Sequence, residues 1–330
     1  MNILTIHNHF SFRRQAGLSL VELMISLTLG LLLLSGITTL IVLQSSTRDE
    51  LEKASRQIEN GRYAMQLLHD DIQLAGFYGE YTPPSGTSTY QTPDPCTTTG
   101  NMGWSSSTDP TQSTVPVAIY GYPGAAADPT TCGLTSYKPD TAVLVIRRTL
   151  TDTLAATAAV AGTTYLQVAQ CNTSTTPFVL GTSGFTLRQK DCSTAAPLRK
   201  YTVRLYYIST CDVCGSDTIP TLKMVEFVDG VQTTRPLVEG IENIQFDFGV
   251  DNTGDGAPES YLASPLAADW QNVMAVRVNL LARNNETTPG YVDNKSYQLG
   301  SVAIPAAADN YKRHVYSELV RATNPSGRRE

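Results

Sequence analysis

Histidine is scarce in this chain: four occur in 330 residues, His7, His9, His69 and His314. There is no G-x-S-x-G elbow and no H-E-x-x-H, which excludes two common hydrolase sites. No glycine-rich phosphate loop occurs. Excess positive charge is lacking too. A net charge of −6 argues against nucleic-acid binding through overall charge. No fixed-period repeat is present, so a solenoid is excluded. Two local absences are more informative. No charge falls between Leu23 and Leu43, and no proline between Leu18 and Thr82.

The charge-free run is 21 residues long. As a helix it spans about 31 Å, close to the hydrocarbon thickness of a bilayer. Arg13 and Arg14 precede it, which predicts a cytoplasmic N-terminus and an external remainder. A secretory signal peptide carries its cleavage site after the apolar segment. Here Gly17 stands before it, and Glu22 interrupts its beginning. A carboxylate near a bilayer's centre costs roughly 2.5 kcal/mol or more, and less near the edge, so one in such a place usually has a partner.

The segment Gly17-Leu18-Ser19-Leu20-Val21-Glu22-Leu23 resembles the cleavage and methylation motif of type IV prepilins. The resemblance implies cutting after Gly17 by a membrane prepilin peptidase and N-methylation of Leu18. That family prefers Phe where this chain has Leu18. Glu22 becomes the fifth mature residue, and in a filament it pairs with a neighbour's terminal amine. An unpaired carboxylate is strongly disfavoured inside a helix bundle, so such pairing sets axial register.

Beyond the run, Leu51, Ala54, Ile58, Gly61, Met65, Leu68, Ile72 and Ala75 recur at spacings of three and four. This predicts one apolar helical stripe facing a sheet. Gly76, Gly79 and Pro83-Pro84 should end the helix. Gly30 and Gly36 interrupt the apolar segment, consistent with close helix packing or with loosening on assembly. After residue 82 the pattern turns to strands: 142–147, 201–208, 222–228, 244–250 and 273–282. Residues 313–320 fit a last strand or a short helix, and 324–330 a frayed tail. Segments Arg204–Ile208, Leu237–Glu242, Phe248–Asp251 and Trp270–Val278 resemble the PilW-type minor pilins. Residues 85–200 match poorly and read as an insertion.

Cys96, Cys132, Cys171, Cys192, Cys211 and Cys214 all fall in the loop-rich middle. An even count beside an export signal predicts disulfides and an oxidising compartment. Sequential pairing is the expectation among fifteen connectivities. Cys211-Asp212-Val213-Cys214 is a redox spacing, but no helix pattern follows, so a small structural loop is the expected reading. No second Cys or His pair completes a zinc site. Asp251, Thr253 and Asp255 fall at positions one, three and five of a calcium-type loop, with Gly256 at six. Position twelve is Leu262, so Glu259 would have to complete the Ca²⁺ shell through different geometry. The competing reading is a polar turn, in which Asp, Asn and Gly are favoured anyway. Tyr78, Tyr81, Tyr90, Trp104, Tyr120 and Tyr122 sit among Pro and Gly, as binding-loop aromatics or as local cover for the sheet.

The expected fold is α+β and pilin-like: a long N-terminal helix packed on an antiparallel sheet with disulfide-bearing loops. The expected divisions are a leader at 1–17, a membrane and filament-core helix at 18–43, and an amphipathic helix at 44–80. A periplasmic head at 81–323 and a tail at 324–330 follow. The resemblance implies a non-enzymatic minor pilin that initiates or stabilises a type IV pilus. Its partners would be other minor and major pilins, the peptidase, the inner-membrane assembly machinery with its separate ATPase, and the bilayer. Its place would be the inner membrane as a single-pass protein, then the filament. A type II secretion pseudopilin and a tip adhesin or DNA-capture subunit are the alternatives.

Overall fold

The computed structural model describes residues 17, 19–83, 89–97, 100–109, 112–228 and 231–329. Leu18, the stretch 1–16 with Arg13 and Arg14, and Pro84 lie outside the described residues. The chain divides into two compact units, Met1–Glu52 and Lys53–Glu330. Helix α1, Leu20–Gln73, enters both, as 54 residues without proline allow. In the first unit its apolar side chains are exposed, Leu32 at 70%. The helix runs unbroken through Gly30 and Gly36, where an added Cβ would meet nothing within 4 Å.

In the second unit α1 buries Gln57, Gly61, Ala64, Met65, Leu68, Asp71 and Ile72. The predicted stripe needs correction at its start, because Leu51 and Ile58 are exposed. Gln57 takes the inward position instead, and its Nε2 donates to the carbonyls of Ala282 and Lys312, both at 2.9 Å. Past the helix end, Gly76 adopts φ +70° and donates its N–H to the Arg147 carbonyl at 2.9 Å. A left-handed residue just after a helix is the usual glycine stop.

Fifteen strands follow among the described residues. The first six are β1 (Thr89–Gln91), β2 (Thr114–Pro116), β3 (Ile119–Tyr122), β4 (Val143–Thr149), β5 (Tyr165–Val168) and β6 (Phe178–Gly181). Next come β7 (Leu198–Ser209), β8 (Thr221–Val228), β9 (Val231–Glu239), β10 (Ile241–Val250) and β11 (Ser260–Leu262). The last are β12 (Val273–Arg283), β13 (Tyr297–Leu299), β14 (Val302–Ile304) and β15 (Arg313–Arg321). The main sheets are antiparallel. One has order β11-β10-β12-β15; the other runs β3-β4-β7-β5-β6, with β8 on β7 and β9 on β8. Residues 313–320 are therefore strand, paired with β12 from Ala275↔Arg321 to Arg283↔Arg313.

Alternation along β4 and β7 builds two cores on opposite faces. Leu144, Ile146, Tyr206 and Ile208 join the helix residues Ala64, Met65, Leu68 and Ile72 and the inner face of β10 and β12. Val143, Val145, Val203, Leu205 and Tyr207 join Tyr78, Tyr81, Trp104 and Phe178. Every residue of β4 is buried, which explains the apolar run Val143–Ile146, and the strand also buries Arg147, Arg148 and Thr149. The segment 85–200 is integral to the head, since β4 lies between β3 and β7 and supplies both cores.

The loop aromatics also take inward positions. Tyr78, Tyr81 and Trp104 are buried, and Trp104 meets Tyr78, Phe178 and Tyr201 edge-on at 4.7, 5.0 and 5.9 Å. Tyr90, Tyr120 and Tyr122 are half-buried. The expected frayed tail is ordered: Thr323–Gly327 forms helix α2 with Pro325 and Ser326 buried. Asn324 Nδ2 donates to Ala75 O and Arg328 to Gly76 O, so the tail satisfies carbonyls left open where α1 stops.

Candidate functional site

Three places hold the residues that the sequence marks out. The first is the start of α1. The first helical bond runs from Leu23 N to Ser19 O at 3.0 Å, and Glu22 stands in the first turn. Gly17 and Glu22 are exposed. A carboxylate in the first turn is favoured by the helix dipole, which stabilises Glu22 locally. Ser26 Oγ donates to the Glu22 carbonyl, and Thr28 Oγ1 to those of Met24 and Ile25. Hydroxyls inside the apolar run therefore hide their polarity in the helix itself.

The second place is the loop between β10 and β11. Glu259 N–H donates to Val250 O at 3.1 Å and closes it. Carboxylate oxygens of Asp251, Asp255 and Glu259 lie within 4.8 Å of one another. Thr253 Oγ1 donates to Glu259 at 2.6 Å and also lies 3.5 Å from Asp251. The four residues picked out by spacing thus converge. Asp251 is fully buried and accepts from Gly254 N at 2.6 Å and Gly256 N at 2.9 Å. Burial by itself would raise its pKa, but these N–H groups and Arg329 hold it below the usual carboxylate range.

That arginine alters what the loop can do. Arg329 Nη1 sits 3.1 Å from Asp251 Oδ2, and Nη2 sits 2.5 Å from Asn272 Oδ1. A cation from the chain's own tail already stands against the most buried of the three carboxylates. Ca²⁺ prefers six to eight oxygens at 2.3–2.6 Å. Loading would require Arg329 to leave and the backbone N–H groups to release Asp251.

The third place is the set of cysteines. The structure pairs Cys96 with Cys132, Cys171 with Cys192 and Cys211 with Cys214, and no cysteine is free. The third pair lies in the connection from β7 to β8, away from any helix start. In the chain-entropy view the widest loop constrains the unfolded chain most. Cys96–Cys132, with a separation of 36, outranks Cys211–Cys214, with a separation of 3.

Sequence reasoning missed the buried charges. Asp71 accepts from Arg148 Nε at 2.6 Å, Arg204 Nη1 at 3.0 Å and Tyr206 Oη at 2.7 Å. Arg204 also pairs with Glu226 at 3.0 Å. A signal existed, since Asp71 stands between Leu68 and Ile72 at the spacing of the apolar stripe. Arg313 was missed as well; it bridges Glu242, Asp293 and Asp309. His69 has Nδ1 2.7 Å from Glu318 Oε1.

A family model described as Type IV Pilus-assembly protein W matches residues 205–324. One described as the Prokaryotic N-terminal methylation motif matches residues 12–38. No curated protein and no solved structure matches the chain. The first match covers β8 to β15 and the C-terminal end of β7; the second covers the start of α1.

Proposed function

We propose that this type IV prepilin-like, PilW-type protein is a minor pilin, a structural subunit that helps initiate or stabilise a pilus. One observation carries the reading. The methylation motif opens an unbroken helix whose apolar residues from Leu20 to Leu43 are exposed, and which leads into a disulfide-bonded β head. Such a helix requires a membrane or a bundle of other helices to cover it. Cleavage after Gly17 leaves a cationic amine at Leu18, and Glu22 offers the matching carboxylate one helical turn on. Other pilins are the partners that supply both groups in register. The head lies outside the inner membrane, as Arg13, Arg14 and the disulfides favour. Energy for assembly comes from a separate ATPase. The role is structural rather than enzymatic.

Mass spectrometry of sheared filaments tests this reading. An N-methylated Leu18 terminus is expected, and Glu22→Ala should remove the protein from filaments while leaving it in the membrane. A terminus elsewhere, or normal incorporation of the variant, would refute it. Chromosomal deletion separates the alternatives. Loss of pili fits assembly, whereas intact pili with lost attachment or DNA uptake would favour a tip-binding role.

A further inference from the structure

The disulfide with the shortest loop has surroundings that the other two lack. Cys211 is buried at 5% exposure, whereas Cys214 is exposed. Lys223, from β8, is itself 5% exposed and puts Nζ 3.4 Å from Cys214 Sγ. Ser209 Oγ lies 3.6 Å from the Cys211 sulfur and 3.8 Å from that of Cys214. Asp217 is the nearby acid, but its carboxylate is engaged by the N–H groups of Asp212, Val213 and Ile219 at 2.8, 2.7 and 3.0 Å. Around Cys171 and Cys192 the sulfurs' hydrogen-bonding contacts among the described residues are the neutral groups of Thr173, Asn172 and the Lys190 carbonyl. Cys132 is buried in the aromatic core.

An ammonium beside a sulfur stabilises its thiolate, and a low-pKa thiol is a better leaving group and a more populated nucleophile. One accessible sulfur beside a cation, bonded to a buried one, is the asymmetry that thiol–disulfide exchange uses. We propose that Cys211–Cys214 is an exchangeable disulfide, attacked at Cys214 by a dithiol reductant of the oxidoreductase class. A reductant thiolate attacks Cys214 Sγ, the Cys211–Cys214 bond breaks, and Cys211 leaves as a thiolate that takes up a proton. The reductant's second thiolate then attacks its own sulfur in the mixed disulfide. The reductant becomes a disulfide, and Cys214 is released as a thiolate beside Lys223. Two electrons pass from dithiol to protein. One of the reductant's two protons ends on Cys211, and the other goes to solvent or to Cys214.

The chain need not be altered for the first test. The full-length protein in detergent micelles is equilibrated with graded dithiothreitol at neutral pH and alkylated with iodoacetamide. Its peptides are then mapped by mass spectrometry. Cys211 and Cys214 should take up label at a reductant concentration about tenfold lower than the other four cysteines. Opening of all three disulfides together, or of Cys211–Cys214 last, overturns the proposal. In the second test the fully opened pair is alkylated in Lys223→Gln and Lys223→Arg. The Gln variant should react at Cys214 about tenfold more slowly, and the Arg variant should restore the rate. Equal rates in the parent and both variants would remove Lys223 from the mechanism.

Discussion

Asp71 on α1 and Arg148 on β4 form an ion pair of 2.6 Å with side chains only 4% and 8% exposed, and the pair fastens the helix to the sheet. A buried pair of this kind is near neutral against well-packed apolar residues, but removing one partner alone is costly. Here the arrangement is balanced, because Asp71 and Glu226 face Arg148 and Arg204. Tyr206 supplies a further donor to Asp71.

Asp71→Ala strands the Arg148 guanidinium beneath the helix. Urea unfolding of the variant should show a loss of about 3–5 kcal/mol, with the m-value unchanged. Pairing it with Arg148→Met should recover a large part of that loss, because the orphaned charge goes too. A single-variant loss below about 1 kcal/mol would mean that water reaches the pair.

Gly61 lies under the ring of Tyr316, from β15, and any Cβ at that position would overlap the ring. Ala is ordinarily the better helix former by about 1 kcal/mol. Gly61→Ala should nevertheless destabilise, by about 1–3 kcal/mol, because the overlap exceeds the propensity gain. Gly61→Ala combined with Tyr316→Leu should be milder. A rise in Tm for the single variant would contradict this packing.

Acid should weaken the head through the Arg313 cluster. Burial by itself would raise the Asp293 pKa, but Arg313, Tyr297 and the Lys295 N–H outweigh it and hold it low. For Asp309 the hydrogen bond from Arg313 is the leading cause, and its pKa is lowered as well. Carboxylates held low in the folded state contribute stability above their unfolded value of about 3.9 and lose it as pH falls through the folded value. The Tm should be flat above about pH 5 and fall below about pH 4. Asp293→Asn should flatten the fall. Parallel pH profiles for the two proteins would show that the cluster contributes nothing to acid sensitivity.

Arg329→Ala removes the internal cation from the Asp251 loop. The variant should lose stability at low salt and gain a calcium response, seen as a rise in Tm with millimolar Ca²⁺ that exceeds any rise in the parent. An equal response in both would mean that Arg329 does not compete for the place.

Much of this could be read from the linear chain because the determining forces are local. Freedom from charge over Leu23–Leu43 and freedom from proline up to Thr82 dictate one long apolar helix, whatever the rest does. Strict alternation in residues 244–250 dictates a strand for the same reason. The Asp251, Thr253, Asp255 and Glu259 quartet lies within nine residues, so a tight loop must bring its oxygens close. The motif at Gly17–Glu22 is likewise contiguous.

Tertiary structure decided what depends on residues far apart in sequence. Which face of α1 is buried could not follow from hydropathy alone, because Gln57 turns inward to satisfy the carbonyls of Ala282 and Lys312, more than 200 residues away. Whether Tyr78, Tyr81 and Trp104 serve as binding-loop aromatics or as cover for the sheet was open in the sequence, and Phe178 and Tyr201 close around them in a buried cluster. The tail orders because it caps the end of α1 and reaches Asp251. The sequence by itself determined a long helix with an apolar first half and a carboxylate, Glu22, in its first turn, since each of those properties belongs to a short contiguous segment. Folding alone decided which charges that helix meets in the head and which cysteine sulfur stands beside a lysine, since those depend on strands brought together across the whole chain.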